Sequence, residues 1–162
     1  MKKWICLTLC VAFLVCGVFA MPTKAAESVD ISMVNQVQGS ERWKVITIAV
    51  TAAANGLVTS TAFNLFPEFA RDITAHIQYA ITDPGSTAPT DNYDITITDS
   101  SQGSDDVFGA ELMNRDTTNT ESVEPAIPYR RVNLKNLVFN LSGNSVDSAT
   151  FTVYIYVYVR GD

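Results

Sequence analysis

The sequence predicts an all-β chain: an antiparallel β-sandwich or jelly-roll-like barrel of about six to eight strands, preceded by an N-terminal signal helix. Three observations predict it. Several runs alternate apolar and polar side chains with the two-residue period of a strand. Clusters of Gly, Pro, Asn, Asp and Ser separate those runs at short intervals. Beyond residue 25 there is little helical periodicity, and none of the fixed-period repeats that mark solenoids or propellers.

The first element is the signal, residues 1–25. Lys2 and Lys3 precede an apolar run of 17 residues, Trp4 to Ala20, and a short polar stretch of small residues follows. That is the layout of an export signal. Cuts after Ala20 and after Ala25 both fit. The second is favoured, because Met21-Pro22 would put proline close to the scissile bond. The competing reading is an uncleaved membrane anchor, since the run just reaches spanning length. Lipidation is disfavoured: Leu9 precedes Cys10 and Val15 precedes Cys16, where such signals need a small residue.

All three cysteines, Cys6, Cys10 and Cys16, lie in this segment. A chain cut at Ala25 therefore has no disulfide, thiolate metal site or cysteine nucleophile. Its 137 residues are enough for a self-sufficient core. Losing Lys2, Lys3 and Lys24 leaves eight basic residues against 17 acidic ones, a net charge of −9. Nucleic-acid binding needs a positive footprint, and this chain has none, so no nucleic-acid partner is expected. A membrane is reached only through the N-terminal segment, if it stays uncleaved.

Residues 26–42 read as an N-terminal arm or edge strand, and 43–162 as the β-sandwich domain. In "RWKVITIAVTA", Trp43, Val45, Thr47, Ala49 and Thr51 share one face, while Lys44, Ile46, Ile48 and Val50 share the other. Both faces are largely apolar, as in a central strand. Asn55-Gly56 is a turn. Phe63, Leu65, Phe66 and Phe69 form an aromatic cluster around Pro67. They read either as a helical turn starting at Pro67 or as a plug for the end of the sandwich. "DITAHIQYAIT" alternates, with Ile73, Ala75, Ile77, Tyr79 and Ile81 on one face. Asp83-Pro84-Gly85-Ser86 fits a type II turn. A second turn leads into a strand with Tyr93, Ile95 and Ile97 inward.

"SSQGSDD" reads as a flexible polar loop and 107–122 as a compact loop. "EPAIPYRR" must be extended, because each proline disfavours helix in the residue before it. "RVNLKNLVFNLS" reads as one strand with a bulge near Lys135-Asn136, where the apolar phase shifts. The last run alternates most clearly. Phe151, Val153, Ile155, Val157 and Val159 line one face; Thr150, Thr152, Tyr154, Tyr156 and Tyr158 line the other.

Little here suggests catalysis, and the expectation is a non-enzymatic protein without cofactors. His76 is the only histidine and has no companion ligands; it reads as solvated or inter-strand. No nucleophile-elbow motif occurs. Asp99, Asp105 and Asp106 are weak calcium candidates, because calcium takes oxygen ligands. Their spacing does not match the calcium-loop pattern, and the favoured reading is solvated loop charge. The stronger binding candidate is the ladder Tyr154, Tyr156 and Tyr158, an amphipathic surface suited to protein contacts or to stacking on sugars.

Three segments, "ITDPGSTAPTDNYDITITD", "GSDDVFGAELMNRDTTNTE" and "LSGNSVDSATFTVYIYV", resemble a family of small, mostly uncharacterised virion-associated proteins of tailed bacteriophages. The shared features are a "DPG-TAPTDNYD" strand-turn-strand, a loop ending in "NRDT" and a last strand after a Gly/Asn turn. The resemblance runs roughly from Trp43 to Arg160. It implies a virion structural role and brings no catalytic residues. This chain adds the export signal, a longer loop at 99–112 and extra aromatics at Phe63 to Phe69.

The expected function is an exported or virion-surface structural protein that self-associates through β-contacts. Its partners would be copies of itself, or proteins of the virion or cell surface. The alternative is a secreted binding module for surface glycan or protein, using the Tyr-rich face. The expected location is the periplasm, the cell surface, the extracellular space or a virion.

Overall fold

A computed structural model of the chain describes residues 26–35, 42–63, 65 and 74–159. The signal segment, Ile73 and the aromatics Phe66 and Phe69 lie outside the described residues. Two antiparallel sheets make an all-β sandwich. The first contains β1 (Ser28–Asn35), β2 (Trp43–Thr51), β4 (Thr74–Pro84), β7 (Glu121–Val123), β8 (Arg131–Asn133) and β10 (Thr150–Val159). Their order is β1-β2-β10-β4, with β7 and β8 both paired to β4. The second contains β3 (Thr61–Ala62), β5 (Asp94–Asp99), β6 (Asp105–Asp106) and β9 (Leu137–Ser142), in the order β3-β9-β5-β6. Among the described residues no helix is long and apolar enough to cross a membrane.

The core lies between the sheets. Ile46, Ile48, Val50, Phe151, Val153, Ile155 and Val157 face it from the first sheet, and Ile95, Ile97, Leu137 and Phe139 from the second. Phe151 reaches from the first sheet to the second, with ring centroids 5.2 Å from Tyr93 and 6.4 Å from Phe139. Such burial is the main favourable contribution to a fold that has no disulfide among these residues. The alternating strands β2, β5 and β10 therefore fold with the faces their periodicity predicts, and β2 is central. The arm at 26–42 contains an edge strand. Phe63 is buried at 3% exposure, as an end plug would be.

The structure corrects the reading in five places. Strand β4 carries an extra residue. Tyr156 faces Tyr79 and Val157 faces Ile77, leaving Gln78 unopposed in a β-bulge. The bulge reverses the alternation, so Ala80 and Thr82 point inward while Tyr79 and Ile81 join the outer face.

The expected type II turn at Asp83–Ser86 does not form. β4 continues to Pro84, Gly85 lacks the positive φ that turn requires, and its N–H bonds Thr150 O at 2.8 Å. Glycine is needed there for closeness, because a Cβ would lie 2.3 Å from Thr150 Oγ1.

The bulged strand expected at 131–142 is two strands in different sheets. Asn133 caps a 3-10 turn, Leu134–Asn136, which carries the chain from β8 to β9. The phase shift thus marks a change of sheet.

The loop after β5 is ordered as a 3-10 turn, Ser100–Gln102, ending at Gly103 with φ 79°. Finally, the described residues form ten strands where about six to eight are expected, because four are only two or three residues long.

Candidate binding face and its cleft

The pairing places the outward side chains of the first sheet in rows. One row runs Trp43, Tyr158, His76, Arg131. The next runs Val34, Val45, Tyr156, Tyr79. Then come Ser32, Thr47, Tyr154, Ile81 and, beyond them, Asp30, Ala49, Thr152, Asp83. One end of this face is aromatic and aliphatic; the other is Ser, Thr and Asp.

The tyrosines interlock sideways. Tyr79 and Tyr156 stack with centroids 4.2 Å apart and planes 14° from parallel. Trp43 meets Tyr158 edge-on at 5.1 Å. Arg42 Nη1 donates to the Tyr158 hydroxyl at 3.1 Å. Burial, then the neighbouring Tyr156, raises the Tyr79 phenol above its ordinary pKa. The predicted Tyr154, Tyr156 and Tyr158 are thus on one face and half-buried.

Beside this face lies a cleft of about 210 Å³ lined by Trp43, Gln78, Tyr79, Glu124, Pro125, Pro128 and Tyr129. Its far wall is the "EPAIPY" segment, which is not extended as the sequence predicts: it bends at Ala126-Ile127 and turns at Pro128-Tyr129, because Tyr129 adopts a left-handed conformation. Tyr129 is 66% exposed and sits at φ 55°, a left-handed conformation costly for a bulky residue. Its carbonyl takes a 2.9 Å hydrogen bond from His76 Nδ1. A carbonyl only accepts, so Nδ1 carries the proton. Ile77 N donates to Arg130 O at 3.0 Å, and Arg130 Nη1 to Asp106 O at 2.9 Å, holding the corner from both sides. His76 is thus neither free in solvent nor merely inter-strand: it fixes the cleft wall.

The sequence reading missed this cleft. Alternation alone places Tyr79 on the face of Ala75 and Ile77, because the bulge at Gln78 leaves no trace in it. Glu124 and Tyr129 were read only as part of an extended connection. The two prolines three residues apart were the available signal for a rigid wall.

The three aspartates do different work from one another. Asp99 is fully buried, against the expectation of a solvated charge. Its Oδ1 accepts from Ser101 N at 2.9 Å and Ser101 Oγ; its Oδ2 accepts from Gln102 Nε2 at 2.8 Å and Asn133 N at 2.9 Å. Burial alone would raise its pKa, but these hydrogen bonds outweigh it and hold the carboxyl below its ordinary value. Asp106 takes Ile97 N, Phe108 N and Ala110 N, organising the loop after β6. Asp105 is exposed and 3.7 Å from Arg130. Among the described residues no group of three or more His, Cys, Asp or Glu is placed to hold a metal ion.

No protein-family model matches this chain, and no curated protein matches it at a significant level.

Proposed function

We propose that this chain is a non-enzymatic structural or assembly protein, exported or carried on a virion surface, that self-associates by β-pairing. The observation that carries this reading is the outer edge of β1. Edge strands expose unpaired N–H and C=O groups, and proteins ordinarily blunt them by keeping them short or charged. The edge strands β3, β6, β7 and β8 are two or three residues long. β1 is eight residues long, contains no proline or lysine and a single charge, Asp30, and has no partner beyond β2 among the described residues. Glu27 anchors its start by accepting from Thr59 Oγ1 at 3.0 Å. A second copy offering the same edge would continue the sheet. Val34, 59% exposed, would then extend the row Val45, Tyr156, Tyr79 across the junction.

Size-exclusion chromatography with light scattering tests it. The purified chain is expected to give a concentration-dependent multiple of the monomer mass. Ser32→Lys with Val34→Lys should return it to monomer with an unchanged melting temperature, because like charges meet across an edge-to-edge pair. A strict monomer at high concentration would sink the reading.

A second reading, a binding module for surface glycan or protein, is favoured by the aromatic rows around Tyr156 and Tyr158. Loss of binding to host cells on Tyr156→Ser, with oligomer mass unchanged, would favour it over assembly.

A further inference from the structure

We propose that the cleft between β4 and the Glu124–Tyr129 segment binds a quaternary or fully methylated ammonium group. This goes beyond the assembly reading and uses different residues from the β1 edge.

The lining decides the chemistry. Trp43, Tyr79 and Tyr129 supply three aromatic rings, and Pro125 and Pro128 add apolar walls without donors. Aromatic faces attract cations through their quadrupole, and such cages are how proteins recognise alkylated ammonium ions. Glu124 is the one ionisable carboxylate in the lining, and no lysine or arginine lines it. The whole chain carries a net charge of −6, which favours a cation further.

A sugar ring would also stack on these aromatics, but its several hydroxyls need convergent polar partners. Besides the two tyrosine hydroxyls and the single donor of the Trp43 indole, the lining's side chains offer only Gln78 and Glu124, and Gln78 already points Nε2 at His76 O, 3.4 Å away. The cleft's volume, about 210 Å³, suits one headgroup rather than an oligosaccharide.

The strain is the second, independent observation. Tyr129 is held at a positive φ while its ring stays exposed at the cleft. Strained backbone that surrounding bonds over-determine clusters at ligand clamps. Here those bonds come from His76 to the Tyr129 carbonyl and from Ile77 to Arg130.

The probe is choline chloride, titrated into the full chain while the Trp43 indole resonance is followed by NMR. Saturable shifts are expected. The neutral isostere 3,3-dimethylbutan-1-ol has the same shape without the charge and should bind about tenfold more weakly. Glu124→Gln should weaken choline severalfold and leave the isostere unchanged. Tyr129→Ala should abolish the shifts at an unaltered melting temperature, since its ring is mostly exposed.

Trimethyl-lysine peptide and phosphatidylcholine vesicles, used as competitors, distinguish a protein carrier from a lipid one. Displacement by either supports the assignment. Equal affinity for choline and the isostere, a response to neutral monosaccharides but not to choline, or no saturable response to any of the cations overturns it.

Discussion

Asp99→Asn is expected to destabilise the chain more than its near-identical shape suggests. In the native protein both carboxylate oxygens accept, Oδ1 from Ser101 and Oδ2 from Gln102 Nε2 and Asn133 N. An asparagine oxygen can replace Oδ1. Its amide nitrogen would then face two donors in a fully buried site. Gln102 is exposed and its Nε2 can turn to water, so the stranded donor is the part-buried Asn133 N–H, at a cost of about 1–2 kcal/mol. For a chain of this size that lowers the melting temperature by about 5 °C.

The loss should depend on pH with a definite sign. The native carboxyl titrates below 3.8, so its contribution is present above that value and fades as pH falls through the folded pKa. Urea denaturation of both proteins near neutral pH and at about pH 2 measures it. The gap should be wide at neutral pH and narrow in acid. A neutral-pH difference under about 0.5 kcal/mol, within ordinary surface-mutation scatter, would refute the reasoning. So would a gap that survives undiminished in acid.

Three further outcomes are expected. The Tyr93 hydroxyl is buried without a partner, and burial pushes its pKa up to about 12. Stability from this group is complete below pH 10 and is lost as pH rises through 12; Tyr93→Phe should flatten that loss and stabilise by about 1 kcal/mol, read by alkaline unfolding. Gly85→Ala should cost about 1–3 kcal/mol, because its Cβ would overlap Thr150; an unchanged urea midpoint would contradict this. Deleting Gln78 removes the bulge and must turn either Ala75 and Ile77 or Ala80 and Thr82 out of the core. That should cost more than about 4 kcal/mol, whereas Gln78→Ala, which keeps the extra residue, should change the circular-dichroism melt little.

The strands whose periodicity ran unbroken were legible in the sequence. β2, β5 and β10 place Ile48, Ile97 and Ile155 inward, as alternation requires. What stayed hidden depended on single residues that change phase. Gln78 is an ordinary strand residue, and only its lack of a partner on β10 makes it a bulge. The shift at Lys135-Asn136 was visible, but a bulge and a change of sheet leave the same trace in sequence. Asp99 looked like loop charge because Gln102 is brought to it by the turn that it caps and Asn133 by the end of β8, 34 residues away. The Tyr ladder was legible for the same reason as its strand; the cleft beside it was not, because its walls are 45 or more residues apart.

Asp99 also connects the two halves of the structure. It ends β5 in the second sheet, yet its Oδ2 holds Asn133 N at the end of β8 in the first. Gln102, bonded to the same oxygen, reaches Arg131 O at 3.0 Å. Arg131 faces His76 across β4, and His76 fixes the Tyr129 carbonyl. The buried carboxylate is therefore linked to the cleft wall through one strand and one imidazole. Through that linkage Asp99→Asn should weaken choline binding as well as stability, while leaving β1 untouched at the opposite edge of the sheet. Assembly and ligand binding would then respond to different substitutions, which separates them experimentally.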